Sequence, residues 1–389
     1  VTGHPDVVVV GAGVVGASVA FHLARGGASV TLVDRGSAGG GMSGRSSALV
    51  RTHYAFAPEV ELAVRSTRLF EAWPDLLGRP PVVRRTGFVR IVKPGEEDHL
   101  RRNVEVQQRL GAKVELVEGS ELAALVPGLR VDDVAIAAYE PEGGFGDGTV
   151  VAGDLVAAAR EHGARVLLGC AVTGLLAARR RITGVATPGG AIGAGMVVVA
   201  TNVWSPPLLR TVEVEVPITV RLHRVAHLRH QPGSGARTAV IDSVTGTYFR
   251  PEGSDDRTLV GDDFSEAGEV DPDALPTSGA AEEVADVVEA ASWRLPALAS
   301  AGIVGATLGA LDMTPDGHPL LGAVPEPEGL VLAVGLSGTG FKVSPAIGEA
   351  IAAEILGRRD GAVDIRPFRP ERFAEGCPIR SPFPYSDEP

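Results

Sequence analysis

Three glycines and one acid carry the first recognisable chemistry. In the run Gly11-Ala12-Gly13-Val14-Val15-Gly16 the first glycine permits a tight turn. The second lets a phosphate approach the backbone, and the third lets a helix pack closely on a sheet. Asp34 follows Gly11 by 23 residues, where a carboxylate accepts hydrogen bonds from an adenosine ribose and repels a phosphorylated one. Together these groups suit the ADP half of a dinucleotide.

They work only if a strand, a turn, a helix and a second strand come in that order, and the flanking sequence supplies all four. Val7–Val10 is a run of four β-branched residues, which favours a strand buried on both faces, as in a parallel sheet. Residues 17–25 read as a helix whose N-terminus aims free N–H groups and partial positive charge at a pyrophosphate. Gly26-Gly27 ends it, and residues 29–33 form the next strand. The first candidate binding set is therefore Gly11, Gly13, Val14, Val15, Gly16, Asp34 and Arg35.

Two further segments decide which dinucleotide. Gly39-Gly40-Gly41-Met42-Ser43-Gly44-Arg45-Ser46-Ser47 is rich in N–H and hydroxyl donors suited to a diphosphate or ribityl chain, and nominates Gly44, Arg45, Ser46 and Ser47. Near the other end, a short strand at 330–333 leads into Gly335-Leu336-Ser337-Gly338-Thr339-Gly340-Phe341-Lys342 and a helix at 346–356. This second strand, glycine loop and helix again points N–H groups at something polar or anionic, and nominates Gly338, Thr339, Gly340, Phe341 and Lys342. A cofactor gripped by both ends of the chain suits FAD better than a nicotinamide that leaves after each turnover.

Bulk properties fit an enzyme. Lys plus Arg total 36 against 48 for Asp plus Glu, a net charge of -12, which argues against nucleic-acid or acidic-membrane binding. Cys170 and Cys377 are the only cysteines, too few for a disulfide scaffold or a multi-cysteine metal site, and no metal is expected. The opening residues lack a basic leader before an apolar stretch, and no apolar run reaches the roughly 18 residues of a spanning helix. A cytoplasmic protein is expected. With 389 residues, two domains are the default.

In the order of its motifs the chain resembles the FAD-dependent amine and amino-acid oxidoreductases that include monomeric sarcosine oxidase, glycine oxidase, D-amino-acid oxidase and the dimethylglycine dehydrogenases. The resemblance runs from Asp6 to about Arg372. It rests on the opening fingerprint, SGRSSALVR, VVVATNVWSP at 197–206, TYFRPEG at 247–253, DMTPDGHPLLG at 312–322 and GLSGTGFKVSPAIGEAIA at 335–352. It implies a mixed α/β and α+β fold of the sarcosine/glycine oxidase type: a Rossmann-like FAD-binding domain and a second domain built on an antiparallel sheet. The FAD domain is then discontinuous, at 1–85, 142–217 and 300–365. The substrate domain takes 86–141 and 218–299. The six prolines of the tail at 366–389 suggest by themselves a segment that wraps the surface or orders only locally.

Helices are expected at 58–76, 96–110, 151–162 and 282–293. Strands are expected at 225–229, 239–241, 247–250 and 258–260, with the alternation of a sheet that exposes one face. Val172 then lies in the stretch passing the adenine end, and Thr201 and Trp204 return the chain toward the flavin. Trp204 reads chiefly as core packing beside FAD.

By resemblance to sarcosine oxidase, Arg51 and Lys342 match two cations that bind a substrate carboxylate; a guanidinium fork holds both oxygens while an ammonium adds point charge. Tyr248 either bonds the substrate or packs as a sheet residue. Arg250 is either a site cation or half of an internal ion pair, and His318 either polarises the flavin or stabilises its turn. Sarcosine oxidase carries FAD on a cysteine at the position of Gly309, and dimethylglycine dehydrogenases use a histidine where this loop reads Arg45-Ser46-Ser47. Noncovalent FAD is expected. The lysine that promotes reaction with dioxygen is replaced by Leu259, and Asp262 and Asp263 stand where sarcosine oxidase has aromatic and histidine side chains.

The resulting expectation is oxidation of the C–N bond of a small, carboxylate-bearing amine to an imine, with dioxygen reoxidising the flavin to give hydrogen peroxide. A dehydrogenase using another electron acceptor, oxidation of a 2-hydroxy acid, and a nonenzymatic flavoprotein module are the competing readings.

Overall fold

The computed structural model describes residues 6–262, 271–276, 278–358 and 361–386. Asp263 lies outside them. Strand β1 (Val7–Val10), helix α1 (Val14–Arg25) and strand β2 (Val30–Val33) form the expected opening unit. β1 sits inside a six-stranded sheet, pairing in parallel with β2 on one side and with Met196–Val199 on the other. Arg165–Leu167 and Leu330–Val334 extend the parallel run outward, and Leu320–Ala323 closes one edge antiparallel.

Both faces of this sheet are apolar, as continuous valine runs require. Val7 and Val9 pack with α1, Gly148–Glu161 and Gly340–Ile355, whereas Val8 and Val10 belong to a separate cluster with Val197, Leu330 and Leu332. The loops leaving the carboxyl ends of β1, β2, Met196–Val199 and Leu330–Val334 all open on one cavity, the position that open parallel sheets reserve for ligands.

The second layer is an eight-stranded sheet in the order 302–313, 219–229, 254–262, 247–252, 239–242, 88–91, 136–140 and 115–118. It is antiparallel except where Phe88–Ile91 runs parallel to Ala239–Asp242. Instead of one exposed face, the described residues in the middle of these strands are buried on both. Period-two alternation sends Ala226, Val240, Phe249 and Val260 into one cluster with Val287 and Ala291 of helix Ala285–Arg294. Their neighbours Val225, Ile241, Tyr248 and Leu259 pack on the other face with Leu49 and Phe88. Strand Gly302–Met313 pairs along Thr219–Arg229, so the chain leaves this sheet at Met313 rather than near residue 300.

Other elements depart from their expected bounds for local reasons. The stretch at 58–76 is two helices, Ala57–Glu71 and Trp73–Leu77, broken just before Pro74. The C-terminal helix begins at Gly340, ahead of Pro345. Proline removes a donor inside a helix; here Ser344 Oγ donates to the Phe341 carbonyl at 2.9 Å, and Ala346 N–H is diverted to Ser66 Oγ at 3.1 Å.

Nor does the proline-rich tail merely wrap the surface. Phe368, Arg372 and Tyr385 are buried, and Arg372 makes a two-pronged pair with Asp316, Nε to Oδ2 and Nη2 to Oδ1, both at 2.8 Å. Among the described residues no helix is long and apolar enough to cross a membrane, and no cluster of three or more His, Cys, Asp or Glu is arranged to hold a metal ion.

Candidate functional site

A cavity of about 770 Å³ runs from the opening glycine turn to the inner face of the eight-stranded sheet. At its nucleotide end Gly11 has φ +105°, and a Cβ there would sit 2.4 Å from the Ala200 carbonyl oxygen. Gly16 meets the Gly11 carbonyl so closely that a Cβ would lie 1.9 Å away; it serves packing and does not line the cavity. Gly13 differs, since its Cβ would meet only Ser43 Oγ at 2.9 Å. Ser43 Oγ in turn accepts the Val14 N–H at 3.1 Å. The helix N-terminus is thus covered by one rotatable hydroxyl, not by backbone.

Asp34 accepts Ala12 N–H at 2.6 Å on one oxygen and Gly36 N–H at 2.7 Å on the other. A carboxylate has about four acceptor positions, so each oxygen retains capacity for a ribose hydroxyl. Arg35 stacks over Trp204 at 4.3 Å, and Asp273 receives both Arg35 Nη2 at 2.7 Å and Trp204 Nε1 at 2.9 Å. Trp204 is therefore a partly exposed member of a rim cluster rather than core. Val172 and Thr201 line the same end.

Midway along the cavity, Arg45 donates to the Leu308 carbonyl at 3.2 Å and lies beside Gly309. Ser46 and Ser47 also line the wall, whereas Gly44 is packed against Gly39 and Thr149. Asp312 joins the loop after Met196–Val199 to the glycine loop at 335–340: Asn202 Nδ2 donates to Asp312 Oδ1 at 2.7 Å, and Gly335 N–H to Asp312 Oδ2 at 2.6 Å. Burial pushes the Asp312 carboxyl up to about 7 despite these donors. The start of the C-terminal helix and the loop before it present Gly338, Thr339, Gly340, Phe341 and Lys342 to the cavity, with Lys342 Nζ donating to the Gly338 carbonyl at 3.2 Å.

Arg51, Lys342, Tyr248 and His318 all line the far end. Arg51 donates to the His53 carbonyl and stacks over Tyr54 at 4.2 Å. Its segment is braced by buried Glu140, which accepts Thr52 N–H at 2.7 Å, Thr52 Oγ1 at 2.6 Å and His53 N–H at 2.9 Å. Burial raises the Glu140 carboxyl even so. His318 Nδ1 lies 2.9 Å from Glu59 Oε2, a bond that fixes its ring from a different element. The Tyr248 hydroxyl lies 2.9 Å from His223 Nε2.

Arg250 does not line the cavity. Its Nε donates to the Ser47 carbonyl at 2.7 Å, its Nη1 to the Pro251 carbonyl, and its guanidinium lies 4.2 Å from the Phe145 ring centre. It ties the flavin-loop segment to the eight-stranded sheet through carbonyl oxygens, and burial lowers its pKa.

Several lining residues escaped sequence reasoning. Ser43 and Asn202 sat inside segments already singled out, and their polarity was the available signal. His223 and Glu59 had none, because a lone histidine on a strand and a lone acid on a helix have no local partner. Ser381 and Pro384 bring the tail into the cavity wall, which the proline content alone gave no reason to expect.

The residues present fit FAD. Gly13 and Ser43 leave room for phosphate at a helix N-terminus, Asp34 keeps acceptor capacity of the kind a ribose hydroxyl needs, and the cavity continues past both glycine loops. Arg51 Nε, Asn202 Oδ1 and Glu59 Oε1 are buried polar atoms of lining residues with no hydrogen-bond partner among the described residues. Such groups are costly unless something bonds them.

A family model described as FAD dependent oxidoreductase matches residues 6–354. The chain is 28% identical to glycine oxidase of Geobacillus kaustophilus (strain HTA426), covering 93% of this chain and 96% of that one. It is 26% identical to the sarcosine oxidase beta subunit of Arthrobacter sp, covering 95% and 91%. Among solved structures, L-proline dehydrogenase from P. horikoshii superposes with a TM-score of 0.88 at 26% identity, covering 97% of this chain and 99% of that one.

Proposed function

The chain belongs to the FAD dependent oxidoreductase family, and on that premise we propose that it oxidises the C–N bond of a small amino acid or N-alkyl amino acid. The substrate is of the sarcosine, glycine or cyclic imino acid type, and the imine formed is hydrolysed by water. One observation carries the reading: Arg51 and Lys342 line the same cavity as Tyr248, immediately beyond both glycine loops.

FAD, when bound, supplies the two-electron acceptor for this reaction. The chain's own groups bind and orient. The Arg51 fork and the Lys342 ammonium take the substrate carboxylate, Leu49 and Ile241 give that end of the cavity apolar walls, and Tyr248 meets the amine. The six-stranded-sheet portion grips the cofactor and the eight-stranded sheet faces the substrate. The glycine, sarcosine and proline named for the relatives are all small carboxylate-bearing amines, in keeping with two cations at the far end.

We assign FAD as noncovalent. Gly309 offers no thiol, and neither Cys170 nor Cys377 lines the cavity. Acid precipitation tests this: all the yellow colour should stay in the supernatant, and a coloured pellet would overturn the assignment.

Dioxygen is the proposed acceptor, giving hydrogen peroxide. A second reading, transfer to another acceptor, is favoured by Leu259, which packs in an apolar cluster with Phe88 and Tyr248 where a lysine would promote reaction with oxygen. Anaerobic bleaching by sarcosine, glycine, D- and L-proline and 2-hydroxy acids tests the substrate class; bleaching by hydroxy acids alone would sink the amine reading. Mixing the reduced enzyme with aerated buffer separates the acceptors, since slow recovery of the oxidised spectrum excludes an oxidase.

A further inference from the structure

Tyr248 does not stand alone at the substrate end. Its hydroxyl is 2.9 Å from His223 Nε2, the two rings stack with centroids 5.8 Å apart, and both residues line the cavity. Behind His223, its Nδ1 is 3.4 Å from Asp262 Oδ1. That contact is too poorly aligned for a full hydrogen bond, yet a lone pair on Nδ1 would face an anion. The favoured tautomer therefore carries its proton on Nδ1 and leaves Nε2 as acceptor. Tyr248 then donates to His223.

Three strands build this line. Tyr248 is opposite Gly261 in the sheet register, and a Cβ at Gly261 would lie 2.2 Å from both the Tyr248 Cζ and its hydroxyl oxygen. The glycine lets the phenol cross the intervening strand toward His223. Asp262, the next residue, is buried and also accepts Arg224 N–H at 3.0 Å and Arg224 Nε at 2.9 Å. Burial pushes its carboxyl up, but His223 and Arg224 outweigh this and hold it below the usual carboxylate range. An anion is thus fixed behind the imidazole.

The other charged groups around the line are Arg250 and Glu252 from the strand of Tyr248, and Asp286, which pairs with Arg224 from the covering helix. Arg45 lies beside Gly309, the residue opposite His223, while Asp312, Arg51 and Lys342 face the same cavity. Glu59 and Asp316 also line the cavity.

Amino acids in neutral water carry an ammonium, whereas forming C=N requires a nitrogen lone pair. We propose that Tyr248, His223 and Asp262 form a proton relay that removes the ammonium proton of the bound substrate. This rests on the functional reading above. One N–H proton of the ammonium passes to the Tyr248 oxygen as the phenolic proton passes to His223 Nε2. Tyr248 is left neutral, the imidazolium is stabilised by Asp262, and the substrate is a neutral amine. No electrons move in this step. Tyr248 touches the substrate, whereas His223 and Asp262 act through it.

The test uses the FAD-loaded enzyme and whichever amine of the panel bleaches it fastest. Flavin reduction is followed anaerobically across pH for wild type, Tyr248→Phe, His223→Asn and Asp262→Asn. Wild type should react at pH values where the free amine is almost wholly protonated. Each variant should shift the acid limb by about one pH unit or more toward the substrate's own solution pKa and lose much less rate on the alkaline plateau than on that limb, because an amine deprotonated in bulk water needs no relay. Tyr248→Phe keeps the ring stack, so the test survives misfolding of the other two. Nitrogen NMR of ring-labelled histidine in wild type should show His223 Nε2 unprotonated. A uniform loss of rate at all pH values, an unmoved limb, or a protonated Nε2 at alkaline pH would overturn the relay. If no amine bleaches the flavin, the functional reading falls and the relay with it.

Discussion

Asp312 accepts Asn202 Nδ2 at 2.7 Å through one oxygen and the Gly335 amide at 2.6 Å through the other, joining the loop after Met196–Val199 to the loop after Leu330–Val334. Burial raises its pKa from 3.8 to about 7. The folded state therefore binds this proton more tightly than the unfolded state. Its stabilising effect is complete below the unfolded value and is lost as pH rises through about 7. Asp312→Asn should flatten the stability profile of the apoprotein between these limits. Chemical denaturation at a series of pH values measures the slope, and an unchanged slope would exclude Asp312 as its source.

Gly13 and Gly16 should separate ligand binding from folding. At Gly16 an added methyl collides with backbone, 1.9 Å from the Gly11 carbonyl oxygen, and overpacking of this kind costs about 1–3 kcal/mol. At Gly13 the methyl meets only the movable Ser43 hydroxyl. Gly13→Ala should leave the apoprotein melting temperature nearly unchanged while sharply reducing flavin content after purification. Gly16→Ala should lower both. Equal flavin content in Gly13→Ala and wild type would contradict the phosphate approach assigned to Gly13.

Arg51→Met should weaken every carboxylate-bearing substrate. A hydrogen bond to a charged group is worth about 1.5–3 kcal/mol, or roughly tenfold to a hundredfold in apparent affinity. Titration with a substrate that bleaches the flavin reads this directly. Amines lacking a carboxylate should be affected much less, and an equal loss for both kinds would remove Arg51 from carboxylate binding.

The tail should prove structural. Arg372 and Asp316 are both buried, and Asp316 also accepts Ile379 N–H at 2.9 Å and His318 N–H at 3.2 Å. Arg372→Met leaves a buried carboxylate without its cation, which costs about 3–5 kcal/mol. Burial works against the Asp316 charge, but Arg372 and the backbone amides outweigh it and hold the carboxyl below its ordinary value of 3.8. Its contribution is thus present above that value and fades as pH falls through the lowered pKa. Urea unfolding at neutral pH should show the loss; a variant as stable as wild type would show that the tail docks without this pair.

The sequence by itself determined the elements whose information is local. The valine run, the spaced glycines and Asp34 specify a strand, a turn, a helix N-terminus and a carboxylate at the end of the next strand within one continuous stretch, and Gly335 to Lys342 repeats the strand, glycine turn and helix near the other end. Their order along the chain also pointed to FAD. Alternation located four strands of the second sheet but not what covers its faces, because period two says that two faces differ and nothing about their neighbours. Tertiary structure alone decided the rest. Glu59 meets His318 across 259 residues, Tyr385 meets His53 across 332, and Arg372 meets Asp316 across 56. Tyr248, His223 and Asp262 come from three different strands. Their alignment depends on register and on a glycine that makes room for a phenol, and such geometry leaves no mark in local residue spacing.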